Sequence, residues 1–176
     1  KEEAGEWMEE SETSSKSSPS RKKPKTVSPR KKSEKKHEAS VPREIKRPPN
    51  PKNLPEVVMY TDGACTGNPG PGGYGVVLFY KGKKKELSGG FRRTTNNRME
   101  ILACIEGLKA LKKPCAVTLF SDSRYVVNAI EEGWAKRWKA RGWQRNKDQK
   151  ALNADLWEQM LSLCERHEVA FNWVKG

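Results

Sequence analysis

Val57-Val58-Met59-Tyr60-Thr61-Asp62-Gly63 is a run of β-branched and bulky residues that ends on an acid and a glycine. Its composition predicts a strand over 56–62. Further along, Val117-Thr118-Leu119-Phe120-Ser121-Asp122 repeats the pattern and predicts a second apolar strand over 117–120. Strands close in chain order tend to lie close in space, and ligand sites gather at strand ends. If these two are neighbours, Asp62 and Asp122 emerge side by side. A third acid, Glu100, lies in the first turns of a predicted helix that starts near Asn96.

The segments between these landmarks complete the pattern. Residues 63–73 hold five glycines and two prolines, which predicts a loop. Strands are expected over 74–80 and 85–91, joined by a turn at Lys81-Gly82-Lys83. Thr94-Thr95-Asn96 carries helix N-cap chemistry. Met99, Leu102, Ile105 and Leu108 then recur at helical spacing, and the helix should stop before Pro114. Helices are expected over 123–131 and 152–164, with a short one around Trp138, and a last strand over 169–174. The order β-β-β-α-β-α-α-β predicts an α/β fold. Its mixed five-stranded sheet starts as an antiparallel meander, continues through right-handed crossovers and is flanked by helices.

Charge is distributed unevenly along the 176 residues, whose formal net charge is +13. Residues 1–12 hold one Lys against six Glu, and residues 13–52 hold 14 Lys and Arg against three Glu. The stretch 11–55 is Ser, Lys, Arg and Pro with almost no large apolar residue, so it cannot offset the entropy of ordering. The division expected is therefore a disordered basic tail and linker over 1–55 and a folded domain over 56–176. The tail reads either as a solubilising linker or as a non-specific contact to nucleic-acid phosphates. A surplus of positive charge makes a polyanion the expected partner. No run approaches the roughly 18 apolar residues of a helical membrane span, so no membrane partner is expected. Cys65, Cys104, Cys115 and Cys164 form no C-x-x-C pair, and His37 and His167 are not at zinc spacing to them. Reduced thiols in a cytoplasmic protein are the expectation.

Three converging carboxylates repel one another unless a cation lies among them. Hard divalent ions with oxygen ligands, Mg2+ or Mn2+, suit such a cluster. Taken singly, each acid is equally readable as a helix cap or a solvated strand end.

Longer motifs surround these acids. Tyr60-Thr61-Asp62-Gly63-Ala64-Cys65 with Gly67-Asn68-Pro69-Gly70-Pro71-Gly72-Gly73-Tyr74-Gly75 resembles the opening of type 1 ribonuclease H. Thr94-Thr95-Asn96-Asn97-Arg98-Met99-Glu100 and Ser121-Asp122-Ser123-Arg124-Tyr125-Val126 resemble its second and third motifs. Trp173-Val174-Lys175-Gly176 resembles the start of its fourth. The resemblance covers essentially 56–176. It implies an endoribonuclease that cuts the RNA strand of an RNA–DNA hybrid with two Mg2+ ions, leaving 5′-phosphate and 3′-hydroxyl ends. By motif, Asp62, Glu100 and Asp122 are the metal-binding catalytic carboxylates. Asn68, Asn96 and Asn97 resemble the family's minor-groove and 2′-hydroxyl contacts, although each also reads as a turn or cap residue. Arg93, Thr95 and Asn153 resemble its pocket for a DNA-strand phosphate. Tyr125 and Trp134 resemble the aromatic surface that meets the DNA sugars. A monomer is expected.

Residues 134–150 interleave Trp134, Trp138 and Trp143 with seven Lys and Arg, among them Lys139 and Arg141, against the single acid Asp148. The tryptophan spacing allows packing of one helix face. Three of six tryptophans within so basic a stretch favours a nucleic-acid surface. The family has a basic protrusion here that viral members often lack, which implies a cellular-type enzyme.

The family pattern also continues with a histidine-bearing loop, a fourth acidic metal ligand and a final helix, none of which precedes Gly176. The expectation is a catalytic domain without its last helix, weak or inactive as residues 1–176 alone. Two other readings compete. One is the ribonuclease H domain of a reverse transcriptase or transposon polyprotein, which the basic stretch fits less well. The other is a non-cleaving hybrid-binding module, which the intact acids disfavour.

Overall fold

The computed structural model describes residues 44–176. The expectation of a disordered tail falls largely on residues 1–43, which lie outside the described residues.

The elements are β1 (Glu56–Cys65), β2 (Gly70–Tyr80), β3 (Lys83–Thr94), α1 (Asn96–Lys109), β4 (Ala116–Ser121), α2 (Arg124–Glu131), α3 (Trp134–Ala140), α4 (Ala154–Arg166) and β5 (Glu168–Trp173). The five strands form one sheet in the order β3-β2-β1-β4-β5. β1, β2 and β3 pair antiparallel, and β1–β4 and β4–β5 pair parallel. The predicted order and the mixed sheet both hold.

Alternation explains how the sheet is covered. Along β1, Val57, Met59 and Thr61 point into the core while Val58 and Tyr60 point out. β4 lies between β1 and β5, and five of its six residues are buried. On the inward face α1 packs against β1 and β2, and also against α4. Ile101, Ile105, Leu108, Trp157 and Met160 fill the space between helices and sheet with Leu119 and Phe171. The Tyr60 ring stacks on Phe120 on the other face, with centroids 4.9 Å apart.

The hairpin strands are longer than predicted. β1 continues to Cys65, β2 begins at Gly70, and β3 extends to Thr94. Glycines that read as loop are ladder residues instead: Gly72 pairs with Phe91, and Gly73 with Gly90. At Gly89 a Cβ would stand 2.6 Å from the Tyr74 ring, so the missing side chain is what lets that ring lie across the strand. At its start α4 is shorter than predicted, because Asn153 has φ 60° and the helix begins only after it.

Residues 44–55 belong by composition to the tail, yet part of this stretch is held against the sheet. Lys46 donates its backbone N–H to Asn172 Oδ1 at 2.7 Å and accepts from Asn172 Nδ2 at 2.9 Å. The Lys46 ammonium pairs with Glu131. Among the described residues, no helix is long and apolar enough to cross a membrane, and all four cysteines are free.

Candidate active site

The register of β1 and β4 sets the site. Their parallel ladder ends at Thr61 opposite Ser121, and the residues that follow are Asp62 and Asp122. Gly63 comes next, and α1 lies directly on it. A Cβ there would stand 2.4 Å from both the Glu100 nitrogen and the Met99 carbonyl carbon. Only glycine lets the first turns of α1 come so close, and this approach carries Glu100 to the same strand end.

Glu100 is half-buried and held at both oxygens. Its Oε1 accepts from Asn96 Nδ2 at 2.7 Å, and its Oε2 accepts from the hydroxyl of Ser123. Ser123 is buried and caps α2, with its Oγ accepting from the Val126 N–H at 3.3 Å. The carboxyl of Glu100 titrates above its usual range, foremost because burial disfavours the charged form. The hydrogen bonds from Ser123 and Asn96 oppose that shift, and the charges of Asp122 and Asp62 add to it. The three acids thus share one electrostatic neighbourhood. The Asp122 backbone is fixed in turn, because Trp173 Nε1 donates to its carbonyl at 2.8 Å. The Arg124 guanidinium lies 4.0 Å from the Trp173 ring centroid.

As donors, three carboxylates suit a hard divalent cation in chemistry and charge. With Glu100 turned to Asn96 and Ser123, they do not stand as a preformed cage. Among the described residues, no group of three His, Cys, Asp or Glu side chains is placed to hold a metal ion.

The amides expected to meet substrate lie beside this cluster. Asn68 Oδ1 accepts from the Asn96 N–H at 3.3 Å, so Asn68, Asn96 and Glu100 form one polar chain. Asn97 is exposed one residue on. Thr95 is the N-cap of α1, its Oγ1 accepting from the Arg98 N–H at 3.4 Å. Asn153, the N-cap residue of α4, is brought to the same place by Arg98, whose Nη1 donates to Asn153 Oδ1 at 3.2 Å. Arg93 is exposed near the end of β3.

The aromatic residues form a ladder hung from a buried tryptophan. Trp157 is fully buried, and its Nε1 donates to the Tyr125 hydroxyl at 3.3 Å. Tyr125 and Trp138 meet it edge-on, at 5.6 and 6.3 Å between centroids, and Trp134 lies 6.4 Å from Trp138. Trp134, Trp138 and Trp143 are all half-buried against the core, so their packing role and an outward role coexist. Tyr125, Trp134, Trp138 and Arg141 line a cleft of about 440 Å³ that Asn97 also borders. Lys139 points elsewhere and pairs with Glu158 at 2.7 Å.

Sequence reasoning passed over two residues of the site. Ser123 follows an acid at a helix start, a cap position that could have marked it. Arg98 carries no local signal, because its partners Asn153 and Asp155 are distant in sequence.

Comparison with known proteins agrees with this geometry. The family model "RNase H" matches residues 55–176. The chain is 70% identical over 124 residues to a ribonuclease H of Desulforamulus reducens, covering 70% of this chain and 78% of that one. It is 69% identical over 121 residues to a ribonuclease H of Syntrophus aciditrophicus, covering 69% of this chain and 70% of that one. Among solved structures, LC9-RNase H1, a type 1 RNase H with the type 2 active-site motif, aligns with a TM-score of 0.62 at 32% identity, over 70% of this chain and 64% of that one. Fold, motifs and relatives agree that this chain belongs to the ribonuclease H family of enzymes, and to its type 1 members.

Proposed function

We propose that this chain hydrolyses the RNA strand of RNA–DNA hybrids, with Asp62, Glu100 and Asp122 as the metal-holding catalytic carboxylates. The observation that carries the reading is geometric: Asp62 and Asp122 follow the paired Thr61 and Ser121, and the contact of Gly63 with the Glu100 backbone brings the third acid to the same strand end, in a chain of this family. The proposed ions are two Mg2+, with Mn2+ as a substitute. Bound there, they supply a lowered pKa for the attacking water and charge neutralisation at the scissile phosphate.

The chain's own residues do the rest. The backbone ladder fixes Asp62 and Asp122, and Asn96 and Ser123 hold the Glu100 carboxylate. Asn68, Asn96 and Asn97 offer short amides to the 2′-hydroxyls of the RNA strand. Tyr125, Trp134 and Trp138 present apolar faces to the sugars of the DNA strand, with Arg141 and Trp143 beside them, while Lys139 is engaged by Glu158. Arg93, Thr95 and Asn153 take a DNA-strand phosphate. The products carry 5′-phosphate and 3′-hydroxyl ends, and the chain acts as a monomer.

A labelled hybrid incubated with Mg2+ tests the reading. The Asp62→Asn variant should lose cleavage while retaining metal-free hybrid binding. Cleavage that persists in this variant overturns the assignment.

A further inference from the structure

We infer that Arg98 is a positioning residue for phosphate recognition: it occupies acceptor sites on both Thr95 and Asn153, so that these side chains offer hydrogen-bond donors outward. The inference rests on the hybrid-binding reading above and adds a residue that the reading does not use.

Arg98 lies in the first turn of α1. Its backbone N–H donates to Thr95 Oγ1 at 3.4 Å, which leaves the threonine hydroxyl hydrogen to point elsewhere. Its guanidinium reaches α4, where Nη1 donates to Asn153 Oδ1 at 3.2 Å. A guanidinium has donors and no acceptor. The Asn153 amide therefore turns its oxygen to Arg98 and its NH2 group away. Among the described residues that Nδ2 has no hydrogen-bond partner.

The fork is itself anchored, because Nη1 and Nη2 donate to the two oxygens of Asp155 at 3.1 and 2.8 Å. The backbone of Asn153, at φ 60°, sets where its side chain starts. Arg93 stands two residues before Thr95 and adds a cation. One hydroxyl, one NH2 and one guanidinium make a set of donors. Its complement is a group that only accepts, as a phosphate oxygen does. An amide or water that must also donate finds less to bind.

The test uses the full 176-residue chain and RNA–DNA hybrids that carry a single methylphosphonate at successive positions of the DNA strand. Binding is measured by anisotropy without divalent ions. In the unaltered protein, neutralising one particular phosphate should weaken binding roughly tenfold. Asn153→Ala should erase that penalty. Arg98→Lys, which keeps the charge and loses the fork, should reduce it to less than about threefold while hybrid binding persists. Asp155→Asn, which removes the carboxylate charge but keeps one acceptor oxygen to anchor the guanidinium, should keep most of the penalty. If Arg98→Lys retains the full penalty and Asn153→Ala loses it, the role of Arg98 is overturned while the phosphate pocket stands. If Asp155→Asn loses as much as Arg98→Lys, the ion pair is the cause and the inference also fails. If Asn153→Ala keeps the penalty, the pocket reading falls and takes this inference with it.

Discussion

Gly63 and the backbone of Glu100 are in direct contact: a single methyl group on Gly63 would stand 2.4 Å from the Glu100 nitrogen. No flexible side chain occupies that space, so the first turns of α1 would have to move. Gly63→Ala is expected to cost about 1–3 kcal/mol, the usual range for overpacking. Cleavage should fall further than that loss implies, because the shift separates Glu100 from Asp62. Urea denaturation alongside hybrid cleavage checks both parts. An alanine variant of unaltered stability and rate would show that α1 does not depend on this contact.

The raised pKa of Glu100 has a definite sign in stability. A carboxyl whose folded pKa lies above its unfolded value favours folding below the unfolded pKa and loses that contribution as pH rises through the folded one. At neutral pH, without divalent ions, the charged Glu100 therefore works against the fold. Glu100→Gln should raise the metal-free midpoint of urea denaturation at pH 7 to 8, with the gain vanishing in acid. An equal midpoint for both proteins at pH 8 would contradict the electrostatic account.

Asp122 is placed through its backbone as well as its strand. Trp173→Phe keeps an aromatic ring beneath Arg124 and removes the Nε1–H that donates to the Asp122 carbonyl. The expected cost is about 1 kcal/mol of stability, the typical worth of one hydrogen bond. The prediction for activity is a several-fold fall in kcat with KM little changed. A change confined to KM would assign Trp173 to substrate contact instead.

His167 predicts acid sensitivity. It is buried, and its Nδ1 accepts from the Cys115 N–H at 3.2 Å. Burial foremost, with Arg166 adding, holds its pKa below the ordinary 6.5. A depressed pKa gives stability that is present above the unfolded value and lost as pH falls through the folded one. His167→Gln, whose amide oxygen can replace the acceptor, should flatten the loss of stability between pH 7 and 5. His167→Ala leaves the Cys115 N–H unpaired and should cost about 1–3 kcal/mol at pH 7. If the glutamine variant loses stability in acid as steeply as the unaltered protein, another group is responsible.

The legible part of the fold was the part written in local pattern. Val57 to Thr61 and Val117 to Ser121 announce strands by composition, and Met99, Ile105 and Leu108 announce α1 by period. Gly72 and Gly73 read as loop, because glycine weakens a strand unless something lies close to it, and the Thr94 side chain and Ala64 carbonyl that crowd Gly72 are distant in sequence. The Tyr74 ring beside Gly89 is a tertiary fact. Composition places Lys46 in the tail, and its partner Asn172 lies at the far end of the chain, so no local pattern announces the contact. Of the site, the acids and amides were legible because motifs carry them. Arg98 was not, because its work is done across α1 and α4. The tryptophans of 134–143 admitted both packing and contact, and the half-buried rings accommodate both.

One consequence follows from the parallel register that ends at Thr61 and Ser121. The carriers of the two aspartates are separated by the spacing of adjacent strands, about 4.8 Å. That ruler is made of peptide groups, which every amino acid shares. Substitution can change what is displayed at positions 62 and 122, and α1 can be pushed away or drawn in, but the interval between those two positions is not open to tuning one side chain at a time. Glu100 is different: its carboxylate is set by the side chains of Asn96 and Ser123, so its placement is open to substitution in a way that the strand interval is not.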